Sequence, residues 1–238
     1  MLVMIDETDT STLLDTPRTS PTLTHSAQIA LPELVMAWGR GWAVSRGVPV
    51  PVTVPGGFRA DVGRRGHRVR YVLHTWDTDL LEALDRQVTA PGTWIKVSGC
   101  ATDLRSALST DWTMESSGYL MTAQFTVGAD EPPSPYETSV TTDGEVVVAT
   151  VVDATGTAAA SGRLAPAGEC GVIDQVETSP AHRRRGLGTT VMRALSDHAA
   201  RSGVATGILV ATEDGRRLYR ALGWTVQSEI AVAYVQED

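Results

Sequence analysis

Residues 172–199 read VIDQVETSPAHRRRGLGTTVMRALSDHA, and this stretch decides the fold that we predict for the chain. It begins as an apolar strand, bends at Ser179-Pro180, passes three consecutive arginines and enters a helix through Gly186-Leu187-Gly188. The first backbone N–H groups of a helix have no partner within the helix, and the helix dipole makes that end positive. Because glycine has no Cβ, an anion can come close to the main chain here. The stretch therefore predicts a phosphate-binding loop.

Two other phosphate-binding motifs do not match this stretch. A Walker loop would continue with Gly-Lys-Ser or Gly-Lys-Thr, which does not follow here. The dinucleotide fingerprint needs a third glycine, and position 191 is a valine. The remaining alternative is an ordinary helix start beside an exposed arginine cluster.

The full string is more specific than its glycines. It reads Val176-x-Thr178-x-Pro180-x-x-Arg183-x-x-Gly186-x-Gly188 and resembles the acetyl-CoA loop of the GNAT family of N-acetyltransferases, whose core is Arg/Gln-x-x-Gly-x-Gly/Ala. A second string, Leu218-Tyr219-x-x-x-Gly223-Trp224, resembles the family's closing signature, Leu-Tyr-x-x-x-Gly-Phe. Two positions depart from the family pattern, because Thr212 stands where members often have Asn and Gly215 where they often have Ala.

The resemblance implies an α/β protein with a mixed α+β sheet, the GNAT acyl-CoA N-acyltransferase fold. It also implies that an acetyl group passes from acetyl-CoA, the cosubstrate, to a primary amine by direct attack in a ternary complex, without a metal. The residues that it implies for cofactor binding are Val176, Glu177, Thr178, Arg183, Arg184, Arg185, Gly186, Leu187, Gly188, Thr189, Thr212 and Tyr219.

Three side chains are candidate catalytic groups. The resemblance implies that Tyr219 is the acid that protonates the leaving thiolate, and packing in the core is the alternative role for its ring. Asp174 and Glu177 lie on opposite faces of the strand before the loop and are candidate bases for the acceptor amine. Asp174 has an equally compatible alternative role, in which its carboxylate only binds an arginine or water. The backbone N–H near Val176 would face the thioester oxygen.

Composition and charge exclude several other classes. The 238 residues carry a net charge of −8, which argues against a nucleic-acid or membrane-surface binder, because both need a basic footprint. Cys100 and Cys170 supply neither a disulfide framework nor zinc-ligand spacing. There is no apolar stretch of about 18 residues for a membrane span. The first residues are acidic where a signal peptide is basic, so we expect a cytoplasmic protein.

The first half of the chain resembles a degenerate copy of the second. Its predicted order is strand 58–62, strand 69–74, helix 80–88, strand 93–97, helix 102–108 and strand 119–126. The string LRSAL at 104–108 can be laid beside LYRAL at 218–222, which suggests a tandem repeat. Residues 74–77 of this half have no glycine, so we expect a second GNAT-like lobe that holds no cofactor.

These patterns predict four segments: a flexible N-terminal segment 1–28, the N-terminal lobe 29–127, a linker 128–135 and the GNAT domain 136–238. Helical spacing of apolar residues predicts a helix at 31–46 that ends at Gly47. Its Trp38 and Trp42 are expected in a core shared by both halves, and a ligand cage is the alternative for the pair. The GNAT domain has no helices before its central strands, so we expect residues 29–127 to cover that face.

The acceptor remains open, because its loops carry no recognisable motif. A small-molecule amine and a protein amino group are both compatible with the resemblance, and a homodimer stays open as the assembly. A CoA-binding regulatory protein that has lost catalysis is the alternative function, although the chain keeps Tyr219 and both loop glycines.

Overall fold

A computed structural model of the protein describes residues 29–128 and 131–237. The predicted flexible segment 1–28 and part of the predicted linker lie outside the described residues. The helices are α1 (Leu31–Arg46), α2 (Thr78–Gln87), α3 (Ala101–Ala107), α4 (Leu187–Arg201) and α5 (Glu213–Ala221). The strands are β1 (Val52–Val54), β2 (Gly57–Arg64), β3 (His67–Leu73), β4 (Thr93–Ser98), β5 (Trp112–Gln124), β6 (Glu137–Asp143), β7 (Val146–Val152), β8 (Ala158–Ala167), β9 (Cys170–Thr178), β10 (Thr206–Ala211) and β11 (Thr225–Val235).

The described strands form one mixed sheet in the order β1-β2-β3-β4-β11-β5-β10-β9-β8-β7-β6. Most neighbours are antiparallel, and the two parallel pairs are β3 with β4 and β9 with β10. Each parallel pair is joined by a strand–helix–strand connection, through α2 in the first half and α4 in the second. The mixed α+β sheet that we predicted is confirmed, and so is the second lobe with a similar order of elements.

The last strand of each half lies beside the other half. The first half ends in β5, which pairs with β10, whereas the second half ends in β11, which pairs with β4. The two exchanged strands also pair with each other over most of their length, from Trp112↔Val235 to Thr122↔Thr225. The two halves therefore share a hydrogen-bonded seam at the centre of the sheet. The strand order shows that the two halves are related by an approximate two-fold arrangement.

Helix α1 covers the face of the sheet that the second half leaves bare. Strands β6 and β7 form a tight hairpin, and from residue 131 onward the structure describes no helix before β8 and β9. Trp38 and Trp42 pack with residues of both halves, among them Phe58 and Val172, as we predicted. A Cβ on Gly41 would come within 2.5 Å of Val172, so the helix backbone lies directly on β9.

Each of the remaining two cores consists mainly of one half and is completed by the exchanged strand of the other, β5 in the core around α4 and β11 in the core around α2 and α3. Leu187, Val191 and Leu195 of α4 are fully buried against β7 and β8. Leu81 of α2 and Leu104 of α3 are fully buried in the first half. Helix α1 differs from these helices because it packs on strands on both sides of the exchanged pair, β2 on one side and β8 and β9 on the other.

We predict that Trp42→Ala lowers the free energy of unfolding by about 3–5 kcal/mol, because it removes a large buried side chain from the shared core. Urea denaturation followed by circular dichroism measures the change. Val50→Ala is the matched control, since Val50 is 78% exposed and should change stability by less than about 0.5 kcal/mol. A loss below about 1 kcal/mol for Trp42→Ala would contradict the shared core.

Candidate functional site

A cleft opens where β9 and β10 separate. The parallel pairing of these strands is confined to Cys170–Val172 with Thr206–Ile208, although β9 continues to Thr178 and β10 to Ala211. The cleft between them has a volume of about 1280 Å³. Ligands of open α/β sheets bind where adjacent strands diverge at their carboxyl ends, and this cleft has that position. In the first half, β3 and β4 stay paired up to Leu73↔Val97, so no comparable gap opens between them.

A bulge in β9 turns the strand away from β10. Arg163 and Ser161 of β8 pair with Asp174 and Glu177, which leaves Gln175 and Val176 opposite one residue, Gly162. Gln175 has a φ of 54°, a conformation that is uncommon outside glycine. The bulge thus takes main-chain groups of β9 out of the regular ladder beside the cleft.

Gly162 makes this bulge possible, but it is not the bulged residue. A Cβ at Gly162 would lie 2.6 Å from Val191 of α4 and 3.2 Å from Val176. A glycine within a strand often marks a bulge in that strand, but here the irregularity lies on the neighbouring strand. The extra residue lies on β9, and the missing Cβ allows α4 and the bulge to approach β8 together.

The predicted phosphate loop forms the mouth of the cleft. Gly186 precedes α4 with a φ of 82°, and the first helical hydrogen bond runs from Thr190 N to Gly186 O at 3.1 Å. The amides of residues 187–189 therefore have no hydrogen-bond acceptor within the helix, because the helix has no carbonyl one turn before them. A Cβ on Gly188 would lie 3.1 Å from Leu218, so the loop packs closely against α5.

The structure brings nearly all of the predicted site residues to this cleft. Those that line it are Asp174, Val176, Glu177, Thr178, Arg183, Arg184, Gly186, Leu187, Gly188, Thr189, Thr212 and Tyr219. Arg185 is the exception, because it is not among the lining residues and its guanidinium donates a hydrogen bond to the Tyr136 hydroxyl at 3.1 Å. The expectation that the Arg185 side chain adds charge at the cleft is therefore not supported.

Arg185 belongs to a bracing network that the sequence did not indicate. Tyr136 is buried, and its hydroxyl is 2.9 Å from Nδ1 of His182 in the turn that leads to the loop. Nε2 of the same histidine lies 3.8 Å from a carboxylate oxygen of Asp153, at the end of β7. These contacts tie the loop to the edge of the sheet, and they join residues up to 49 positions apart.

Asp174 is held in an ion pair rather than left free in the cleft. Arg46 donates to its two carboxylate oxygens at 2.5 and 2.9 Å, and the Ser45 hydroxyl donates at 3.2 Å. The hydrogen bond with Asp174 raises the pKa of Arg46 above its usual value, and burial opposes that rise. Arg46 also lines the cleft, although sequence reasoning missed it, because its partner lies 128 residues away.

Glu177 has a different setting from Asp174. Its side chain is exposed and lines the cleft, and it has no hydrogen-bond partner within the described parts of the chain. The lone pairs of Asp174 are engaged by three donors, whereas those of Glu177 remain available. Of the two candidate bases, Glu177 is therefore the better placed to accept a proton.

Tyr219 combines a packed ring with a position at the cleft. Its ring centroid lies 6.1 Å from that of Trp224, and the residue is 9% exposed. Burial, together with the charge of Asp174, raises the pKa of its hydroxyl to about 12. The phenol is therefore protonated near neutral pH and can donate a hydrogen bond.

Thr212 and Gly215 shape the start of α5 around Tyr219. Thr212 is the N-cap residue, and its hydroxyl accepts a hydrogen bond from the Gly215 amide at 3.2 Å. Its oxygen is thus engaged in capping the helix. A Cβ on Gly215 would come within 3.1 Å of the Tyr219 ring, so the glycine at this position leaves room for that ring.

The cleft contains no cysteine among the described residues that line it. Burial raises the pKa of the Cys170 thiol, and neither cysteine lines the cleft. The described residues contain no group of three or more His, Cys, Asp or Glu side chains arranged to hold a metal. Among residues 29–128 and 131–237, no helix is both long and apolar enough to cross a membrane.

Comparison with protein families gives one match. The model of the "Acetyltransferase (GNAT) family" matches residues 103–224, which is 122 of 238 residues and therefore just over half of the chain. The match begins at α3, in the predicted N-terminal lobe, and includes the exchanged strand β5. No curated protein matches the chain.

Solved structures share the arrangement of both halves. A GCN5-related N-acetyltransferase from Kribbella flavida is 16% identical with a TM-score of 0.63, and the match covers 85% of this chain and 95% of that one. One from Sphaerobacter thermophilus is 14% identical with a TM-score of 0.57, covering 87% and 93%. A putative acetyltransferase of the GNAT family from Novosphingobium aromaticivorans is 12% identical with a TM-score of 0.54, covering 87% and 99%. At these low sequence identities, the similarity to the three structures shows a shared fold alone.

We predict that Tyr136→Phe speeds amide hydrogen exchange of residues 180–189 by about tenfold, because a hydroxyl that anchors both His182 and Arg185 is lost. Exchange followed by mass spectrometry measures the effect. Tyr71→Phe is the control, since the Tyr71 hydroxyl has no hydrogen bond in the described part of the chain. Equal exchange in both variants would mean that the network does not brace the loop.

Proposed function

This chain belongs to the GNAT acetyltransferase family, and on that premise we propose that it transfers an acetyl group from acetyl-CoA to a primary amine. The observation that carries the proposal is the cleft between β9 and β10, whose mouth is the phosphate loop and whose wall contains Tyr219. A strand pair that separates beside an open helix start fits a long ligand with an anionic end. The predicted cofactor residues lie together on this cleft, with the Arg185 side chain excepted.

The cleft would hold acetyl-CoA at two kinds of surface. The amides of residues 187–189 and the guanidinium groups of Arg183 and Arg184 suit the pyrophosphate. The free edge of β9 around Val176 suits the amides of the pantetheine arm, which can bind like an added strand. The bulge at Gln175 exposes main-chain groups near the place where the thioester would lie, and an N–H there would stabilise negative charge on its oxygen.

The transfer is a direct displacement. The neutral amine nitrogen forms a bond to the thioester carbonyl carbon, the C–S bond breaks, and the electron pair leaves with the sulfur. A lysine-type amine has a pKa of about 10.4, so a group must accept its proton. We assign that role to Glu177, directly or through water, and we assign to Asp174 the positioning of Arg46 in the cleft wall.

Tyr219 would act on the leaving sulfur mainly as a hydrogen-bond donor. Its pKa of about 12 lies above that of a thiol, which is about 8.5, so complete proton transfer to the thiolate is unfavourable. A hydrogen bond to a charged group still contributes about 1.5–3 kcal/mol. The thiolate then takes up the proton that the amine has lost, which gives the free thiol.

The finer parts of the function are also proposals. We infer a small-molecule amine or a protein amino group as acceptor, a cytoplasmic location, no nucleic-acid or membrane partner and no metal requirement, with a homodimer as a compatible assembly. The segment boundaries at 28, 127 and 135 remain predictions, although exchanged strands link the lobes.

The alternative function is that of a CoA-binding regulator. Such a protein would bind CoA with no thiol release from acetyl-CoA in the presence of amines.

We predict that Gly188→Val weakens acetyl-CoA binding by about 10- to 100-fold, because a branched side chain crowds Leu218 and the pyrophosphate position. Calorimetry measures the affinity. Gly188→Ala is the graded control and should lose less, since it adds a single methyl group. An unchanged affinity in a folded Gly188→Val protein would refute the loop assignment.

We predict that Tyr219→Phe lowers kcat by about 10- to 100-fold with little change in the KM for acetyl-CoA, because the ring stays packed and the donor is lost. Thiol release assays measure both constants. The ratio of wild type to variant should be constant from about pH 6 to 9, since a hydroxyl with a raised pKa does not titrate there. Tyr71→Phe is the control, and wild-type kcat in Tyr219→Phe would assign Tyr219 to packing alone.

A further inference from the structure

Two basic side chains of the first half lie on the sheet face that α1 covers. The guanidinium of Arg70, on β3, lies 4.8 Å from the centre of the Trp42 ring of α1. Lys96, on β4, shares its face with Trp94, because alternate residues of a strand point the same way. Its strand neighbours Val72 and Val232 also belong to the core around α1. Both cations are only partly exposed.

Neither cation has an acidic partner among the residues that the structure describes. The hydrogen bond of Arg70 is with the imidazole of His67 at 3.3 Å, and its Nε atom is buried without a partner. Asp174 is taken by Arg46, and the Glu115 carboxylate accepts from the amide and hydroxyl of Ser116. The charges of Arg46, Arg70 and Lys96 therefore exceed those of Asp174 and Glu115 by one, and neither Arg70 nor Lys96 is in an ion pair within the described residues.

A third polar group on this face is also without a partner. Ser98 is 8% exposed, and its Oγ is buried with no hydrogen bond in the described residues. It lies two positions after Lys96, on the same face of β4. A buried hydroxyl without a partner costs about 1–3 kcal/mol, so a ligand oxygen here would remove a penalty. We call Arg70, Lys96 and Ser98 the cationic face.

Electrostatics agree with this geometry. Burial, with the positive charges of Arg70 and Arg46, lowers the pKa of Lys96 to about 8. Burial and the charge of Arg46 likewise lower the pKa of Arg70 to about 10. An anion bound between them would oppose both effects, because an opposite charge favours the protonated form.

The cationic face adjoins the cleft. Trp42, which contacts Arg70, and Arg46, which lines the cleft, lie one turn apart on α1. Val210 lines the cleft and also packs against the core around α1. The pair Arg46–Asp174 thus links the helix that contacts Arg70 to the strand β9, where the amine would react.

We propose that the acceptor amine carries a carboxylate or phosphate group and that Arg70, Lys96 and Ser98 bind this group. This assignment rests on the proposed acetyl transfer and adds its substrate class. The first half then contributes the acceptor-binding surface, while the second half binds the acetyl donor. Arginine and lysine both suit an oxyanion, and the hydroxyl of Ser98 supplies a further donor.

The test compares amines that carry an anionic group with counterparts in which that group is neutralised or removed. The carboxylate pair is 4-aminobutyrate with 4-aminobutanamide, and the phosphate pair is O-phosphorylethanolamine with ethanolamine. We expect kcat/KM for the charged member of at least one pair to exceed that of its neutral partner by about tenfold or more, and the pair that responds identifies the anion. Equal values within both pairs would overturn the proposal.

Variants locate the effect at the cationic face. Arg70→Gln and Lys96→Met should lower kcat/KM for the charged acceptor by about tenfold or more, through KM, and leave the neutral acceptor unchanged. Arg86→Gln is the matched control, since it removes an exposed arginine of α2 with 67% side-chain exposure. Equal losses for charged and neutral acceptors would contradict the proposal.

Binding separates this proposal from the proposed function. Calorimetry of 4-aminobutyrate and O-phosphorylethanolamine with the CoA-saturated protein needs no turnover. Binding that is weakened in Arg70→Gln, without thiol release from acetyl-CoA, would support the anion site and refute acetyl transfer. Thiol release with no preference for charged amines would support transfer and refute the anion site.

Discussion

The antiparallel pairing of β5 with β11 is the interaction on which the rest of the structure depends. Each strand comes from one half of the chain and lies beside a strand of the other half, so main-chain hydrogen bonds cross the centre of the sheet. The halves cannot separate without breaking this seam. Because the seam holds both halves in one sheet, α1 can pack on β2 and β9 together and form a core between them.

The two halves use the same order of strands and helices but open only one cleft. In the second half, Gly162 admits a bulge in β9, and the strand then leaves β10. In the first half, β3 and β4 remain paired to the end of β3, and Asp77 caps α2 where a phosphate loop would otherwise begin. One half thus keeps a ligand cleft, and the other supplies covering structure and charge.

Buried charge marks the boundary between these two contributions. Arg46 and Asp174 are paired with good geometry, which offsets much of the cost of removing both ions from water. For Arg70 and Lys96, no ion pair among the described residues offsets the cost of removing the charge from water. Charged groups of this kind destabilise a fold that gains nothing else from them. Ligand binding is a physical reason for a protein to retain such groups, and this is the basis of the proposed anion site.

The sequence by itself determined the order of elements in the first half after Gly57, the limits of α1 and the position of the glycine turn that begins α4. These follow from local signals, namely apolar spacing, Gly47 after the helix, and the glycines at 186 and 188. Only the tertiary structure decided the strand exchange, the Arg46–Asp174 pair, the direction of Arg185 and the cationic face. Each of these depends on residues distant in the chain, such as the 128 positions between Arg46 and Asp174, and no local pattern encodes which distant strands become neighbours.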